Sequence, residues 1–125
     1  MYQTKKIIYK SVFKSGKDKE TVEYKETGIV KRGERTTISF RSGEQTIEIS
    51  YDEHEVILKN NQSVLRLKEG KDVLNEYQLP YGMVLLKTRM LSQKFKEDHF
   101  QLKYELYDSH SLISTVYIII NMISL

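Results

Sequence analysis

The sequence predicts an all-β fold, an antiparallel up-and-down β-barrel of about ten strands, and three observations carry that prediction. Apolar and polar residues alternate at a period of two over most of the chain. Clusters of Gly, Asn, Asp and Ser, which tolerate the backbone of tight turns, separate these runs at short intervals. No long window shows helical spacing of its apolar residues together with a cap.

The elements follow in chain order. A strand at 2–14 ends at Ser15-Gly16-Lys17-Asp18, and a second at 19–31 contains Gly28, which marks a bulge or a sharp bend. After Arg32-Gly33 comes 35–41, with Ile38 and Phe40 on one face, and after Ser42-Gly43 comes 45–51, with Ile47, Ile49 and Tyr51 in phase. The turns Asp52-Glu53-His54 and Asn60-Asn61 bound strands at 55–59 and 63–68, and Leu65 and Leu67 share a face of the latter. Glu69–Gln78 is the best helical candidate, but it lies between two strands, and Val73, Tyr77 and Leu79 suit alternation equally well, so a strand at 72–79 is expected. Pro80-Tyr81-Gly82 leads into 83–95, Lys96-Glu97-Asp98 into 99–107, and Asp108-Ser109-His110 into 112–123. Connections this short leave no room for crossover helices, so the pairing is antiparallel. The last strand, Ser114 to Met122, is apolar on both faces and would aggregate as an exposed edge. Pairing it with the long first strand removes that edge and closes a barrel; a two-sheet sandwich is the competing architecture.

With 125 residues the chain is expected to form a single domain over 1–125. The absence of Cys excludes disulfides, zinc–thiolate sites, iron–sulfur clusters and thiol catalysis. The net charge of +3 is uneven, with residues 1–35 carrying +5 and the remainder −2. A basic segment attracts polyanions, although a solvated strand face explains it as well. No continuous apolar h-region opens the chain, and the most apolar stretch, Leu112 to Leu125, falls short of the roughly 20 residues of a membrane helix. A cytoplasmic protein with no membrane partner is therefore expected. No cofactor is indicated, and nothing in the residues speaks to oligomeric state.

The stretch Tyr77-Gln78-Leu79-Pro80-Tyr81-Gly82-Met83-Val84-Leu85-Leu86-Lys87-Thr88-Arg89, together with Phe100-Gln101-Leu102-Lys103-Tyr104-Glu105-Leu106, resembles the YwiB-like family of small bacterial proteins of unknown function. The resemblance implies a calycin-like β-barrel similar to lipocalins and fatty-acid-binding proteins. The family has no established catalytic or binding residues, so it assigns none here. Two departures from the wider calycin group stand out. The chain has no Trp for the lipocalin Gly-x-Trp motif, and the connection Ser15–Asp18 is too short for the helical lid of fatty-acid binders.

The candidate ligand-binding residues are Tyr77, Tyr81, Lys87, Arg89 and Tyr104. On the strand 83–95 one face carries Met83, Leu85, Lys87, Arg89 and Leu91, the other Val84, Leu86, Thr88 and Met90. If the first face points inward, Lys87 and Arg89 enter the barrel and require an anion, as arginine holds a carboxylate head in the fatty-acid binders the resemblance evokes. If the second does, Thr88 faces in and both charges meet solvent. Nine Tyr residues, including Tyr24, Tyr51, Tyr77 and Tyr104 in phase with apolar neighbours, either wall a pocket or fill a barrel that lacks Trp. His54, His99 and His110 fall at turns without metal-ligand spacing, so no metal site is assigned.

The expected function is a non-catalytic module that binds a small apolar or amphipathic ligand or a protein partner. One alternative is an enzyme with Arg89, Tyr77, Tyr104 and Glu76 gathered inside the barrel. The other is a weak binder of single-stranded nucleic acid through Lys6, Lys10 and Lys14, which lie on one face of the first strand about 13 Å apart. The aromatic residues of that strand, Tyr9 and Phe13, lie on the opposite face, which makes nucleic acid an unfavoured partner.

Overall fold

A computed structural model describes residues 1–61, 63–109 and 111–125. It contains ten strands: β1 (Tyr2–Ser15), β2 (Asp18–Lys31), β3 (Thr36–Ser42), β4 (Gln45–Tyr51), β5 (Glu55–Asn60), β6 (Ser63–Lys68), β7 (Asp72–Leu79), β8 (Gly82–Lys96), β9 (His99–Asp108) and β10 (Ser111–Ser124). Each begins and ends within a residue of where alternation places it. Among the described residues there is no helix, so none is long and apolar enough to cross a membrane.

All ten strands join one antiparallel sheet in the order β6-β5-β4-β3-β2-β1-β10-β9-β8-β7. The expected pairing of the first strand with the last is present, in register from Lys5–Ser124 to Lys14–Thr115. It turns the inner face of β10 (Ser114, Val116, Ile118, Ile120 and Met122) into the core and removes the edge that its composition could not tolerate. The result is a nearly closed barrel.

Its one unladdered junction lies between β6 and β7. There the backbone pairing is confined to the turn itself, where the Lys71 N–H donates to the Lys68 carbonyl at 3.3 Å. Farther along, side chains replace the missing ladder. The Asn75 Oδ1 accepts the Arg66 N–H at 2.8 Å, and the Thr88 hydroxyl donates to the Arg66 carbonyl at 2.6 Å. The Asn75 amide nitrogen is shared among the Leu86 carbonyl at 3.3 Å, the Val73 carbonyl at 3.2 Å and Thr88 Oγ1 at 3.2 Å. Both side chains are buried, so every one of these groups needs a partner.

A second discontinuity begins at Gly28. The β2–β3 ladder runs only from Gly28–Phe40 to Lys31–Thr37, so residues 18–27 of β2 have no strand on that side. Gly28 carries no register shift, so the bulge expected there is absent; the shifts occur at Met90/Ser92 and Leu112/Ser114 instead. What demands glycine is close approach. A Cβ at this position would stand 2.5 Å from the Ser39 carbonyl oxygen and 2.8 Å from Ile7 Cγ1.

An up-and-down meander puts alternate turns at opposite ends. The end bearing the β2–β3, β4–β5, β6–β7 and β8–β9 turns is filled. Tyr51 stacks at tilted angles against Phe100 and Phe95, with ring centroids 4.4 and 5.1 Å away, above the buried Val30, Val56 and Leu67. Arg35 seals it from outside, reaching Asp52 at 2.7 Å, Glu55 at 3.4 Å and the Ser50 carbonyl at 3.0 Å. Gln93 donates across to the Asp52 carbonyl at 2.8 Å.

Two predictions follow from the seam and the close approach. Asn75→Ala is expected to lower stability by about 2–4 kcal/mol and Thr88→Val by about 1–2 kcal/mol, because each leaves buried backbone groups unpaired. The double variant should lose less than the sum, since both act on Arg66; urea denaturation measures all three. Gly28→Ala is expected to cost about 1–3 kcal/mol through overpacking against a backbone carbonyl that cannot rotate away. Equal urea midpoints for this variant and the parent would show that the strands have room to part.

Candidate functional site

The other end of the barrel, bearing the β1–β2, β3–β4, β5–β6, β7–β8 and β9–β10 turns, is hollow. A cavity of about 590 Å³ opens there. Barrels of about eight strands just fill their interiors or hold one small ligand, so ten strands leave space that side chains do not occupy. The volume lies within the roughly 300–1,000 Å³ of small-molecule sites.

The walls differ in chemistry. Strands β4, β5 and β6 contribute the apolar Ile47, Ile49, Leu58 and Leu65, together with the polar Gln45, Glu48, Lys59, Asn60 and Ser63. Strands β1, β2, β7 and β9 contribute tyrosines: Tyr9, Tyr24, Tyr77 and Tyr104. Tyr9, Tyr24 and Phe40 form a three-ring cluster with centroids 5.6–5.8 Å apart, placed where β2 parts from β3. The Tyr24 hydroxyl donates to Gln45 Oε1 at 3.0 Å and so ties β2 to the start of β4 across that gap.

Tyr104 is the most deeply set of these. Burial pushes its hydroxyl well above the usual tyrosine range, and the neighbouring Tyr9 and Tyr77 push it further. Burial likewise raises Tyr9, partly offset by a hydrogen bond with the Ser11 side chain. These hydroxyls are therefore neutral donors throughout the physiological pH range.

The structure sorts the sequence-derived candidates into two groups. Tyr77 and Tyr104 line the cavity together, and Tyr81 stands at its mouth, 85% exposed in the β7–β8 turn. Lys87 and Arg89 do not join them. The face of β8 that points inward is Val84, Leu86, Thr88 and Met90, so both charges are on the outer surface. Assigning Lys87 and Arg89 to the ligand site is thus corrected, and the reason is cross-strand pairing. Arg89 stands opposite Asp72 on β7 and Glu105 on β9. It makes a two-pronged contact with Asp72, both N–O distances 2.9 Å, and packs its guanidinium over the Tyr107 ring at 5.4 Å. Lys87 lies 3.8 Å from the same carboxylate and 4.7 Å from the centre of the same ring. The Arg89 contact holds the Asp72 carboxyl below its ordinary range.

Glu76 is exposed as well, so the grouping of Arg89, Glu76, Tyr77 and Tyr104 that a polar catalytic interior would need is not assembled. Lys6, Lys10 and Lys14 are exposed on the outer face of β1, whereas Tyr9 and Phe13 line the cavity. Lys10 is paired in register with Glu23, and Lys14 caps the Tyr117 ring at 5.2 Å. His54 is exposed and contacts Glu69 at 3.2 Å, and His99 contacts Asn121 at 2.7 Å; His110 lies outside the described residues. Among the described residues no group of His, Asp and Glu is arranged to hold a metal ion.

The cavity itself was not legible residue by residue. Ser11 and Gln45 line it although the sequence marks neither, and Phe13 lines it although the sequence marks it only as lying opposite the lysines of the first strand. The signal available was phase: Ser11 and Phe13 share the inward face with Ile7 and Tyr9.

The raised tyrosines make stability depend on alkaline pH. Unfolded tyrosine ionises near pH 10, whereas Tyr9, Tyr51 and Tyr104 retain their protons to higher pH in the fold. The native state then binds more protons than the unfolded one, and stability that is complete below about pH 10 is lost as pH rises beyond it. Urea midpoints followed from about pH 9 to 11 should fall, and Tyr104→Phe should fall less steeply. Identical slopes would show that Tyr104 ionises normally in the fold.

With this geometry in place, comparison with known proteins gives three findings. The crystal structure of the ywiB protein from Bacillus subtilis superimposes with a TM-score of 0.72 at 16% sequence identity, covering 97% of this chain and 92% of that one. At that identity the likeness establishes the fold. No curated protein matches the chain. The family described as "Domain of unknown function (DUF1934)" matches residues 7–120. The chain, a ten-stranded barrel similar to ywiB and matched over nearly its whole length, belongs to the DUF1934 family.

Proposed function

We propose that this protein is a non-catalytic carrier or sensor that holds a small apolar or amphipathic molecule inside the open end of its barrel, in the manner of calycins, and that it acts in the cytoplasm. The observation that carries the reading is the cavity of about 590 Å³ with one apolar wall and one tyrosine-bearing wall. Supporting it, the closed end is packed and sealed, so the empty volume is confined to one end. A void lined by Ile and Leu without an occupant forfeits dispersion contacts on one side of every lining atom, and a bound apolar molecule restores them. The exposed positions of Glu76 and Arg89 remove the acid and the cation that an enzymatic reading had required.

Two measurements test this. Native mass spectrometry of the purified protein should show an added mass that is lost on unfolding. A neutral fluorescent dye, N-phenyl-1-naphthylamine, should bind with micromolar affinity. Leu58→Trp, which places an indole in the cavity, should weaken the dye about tenfold or more while leaving the urea midpoint near that of the parent. A protein that takes up neither an endogenous molecule nor the dye would refute ligand binding.

A further inference from the structure

The cavity's polar groups specify the kind of molecule it takes, an inference that rests on the ligand-binding reading above. Among the described residues, the charged ones that reach the cavity lining are Glu48, Lys59 and Asp108. Glu48 and Lys59 are register partners on β4 and β5, and they pair with each other at 3.5 Å. Asp108 ends β9 at the open rim. Lys5 shares the inward face of β1, but it lies beyond Ile7 at the filled end and is held by Asp98 at 3.1 Å. Lys87 and Arg89 are outside and paired with Asp72. The one lysine of the described lining, Lys59, is thus already paired with Glu48, and no other described cation is placed to meet a negative headgroup in the interior.

What the interior offers instead is hydroxyl donors. The Tyr24 hydroxyl is used on Gln45, and the Ser11 side chain lies beside that of Tyr9. Tyr104 and Tyr77 both line the cavity, and neither hydroxyl has a hydrogen-bond partner among the described residues. The Tyr51 hydroxyl is also unpartnered, but it is sealed in the filled end and does not line the cavity. Donors of this kind, at one wall of an apolar chamber, match a single neutral acceptor oxygen. A carboxylate entering the same chamber would give up its hydration with no cation to receive it.

We propose that the barrel selects an uncharged amphiphile: a hydrocarbon chain against Ile47, Ile49, Leu58 and Leu65, with one ester, ketone or hydroxyl oxygen held by Tyr77 and Tyr104.

Displacement of N-phenyl-1-naphthylamine by a matched series of methyl decanoate, decanoate and decylamine tests this. At neutral pH the ester is expected to bind about tenfold or more tightly than either charged analogue, and decanoate should gain affinity as it protonates near pH 5. Tyr77→Phe/Tyr104→Phe should weaken the ester about fivefold to tenfold while leaving the dye unchanged, because only the acceptor loses its donors. Tyr77→Phe alone, at a half-buried position, serves should the double variant fold poorly, with a smaller loss for the ester and none for the dye. Decanoate binding as tightly as the ester at neutral pH, or an ester indifferent to loss of the hydroxyls, overturns the proposal while leaving ligand binding intact. A parent protein that takes up neither an endogenous molecule nor the dye overturns ligand binding itself and this proposal with it.

Discussion

At the outer edge of β6 the backbone of Arg66 faces no neighbouring strand, yet its N–H and its carbonyl are both hydrogen-bonded. Buried peptide groups must be paired, and a ten-stranded cylinder has to meet that requirement at every junction. Asn75 meets it because its side chain carries the same acceptor and donor pair as a peptide unit, displaced inward from β7 by the length of one side chain. Thr88, reaching from β8, completes the imitation. Because the bond is made by side chains, β6 and β7 are held at one level and left to diverge above it. The hollow end of the barrel depends on that divergence, since a full ladder would draw Ser63 and Leu65 toward Tyr77 and Leu79, all of which line the cavity.

The two ends of the molecule are thus built by different rules. At the filled end the Tyr51 ring packs against Phe95 and Phe100, and the Arg35 cluster fastens the rim. At the other end the inward residues of β4 to β6 are too short to meet those of β1, β7 and β9. Tyrosine is suited to such a boundary, since its ring packs against the apolar core while its hydroxyl remains available to an empty space. The same residue type therefore acts as filling in Tyr51 and as wall in Tyr104, and depth along the axis decides between them.

Most of the fold could be read from alternation and turns. The strand boundaries, the closure of β10 on β1 and the strand character of 72–79 all follow from local pattern, because a period of two is a local property. Asn75 shows where that reading ends. It sits in phase with Val73 and Tyr77 on the inward face of β7, a polar residue at an apolar position, and that conflict was the available signal. Its meaning required knowing that β6 and β7 do not pair, which no local pattern contains. The faces of β8 were ambiguous for a related reason. Val84, Leu86, Thr88 and Met90 are scarcely more apolar than Met83, Leu85 and Leu91 opposite them, so only the carboxylates across the strand, Asp72 and Glu105, settle where Arg89 points. Gly28 was recognised as exceptional, but its cause, the carbonyl of Ser39, belongs to another strand.

The strand order also bears on how the barrel comes to exist. Every ladder but one joins consecutive strands, so its pairing can zip outward from a tight turn with little loop entropy to overcome. The exception couples β1 to β10, partners separated by about a hundred residues, and long-range pairing of that kind is slow. The chain therefore resolves into two meanders, β1 to β6 and β7 to β10, that form locally and meet twice. They meet once through the long ladder of β1 with β10, and once at the β6–β7 turn, where the carboxamide of Asn75 reaches the backbone of Arg66 nine residues away.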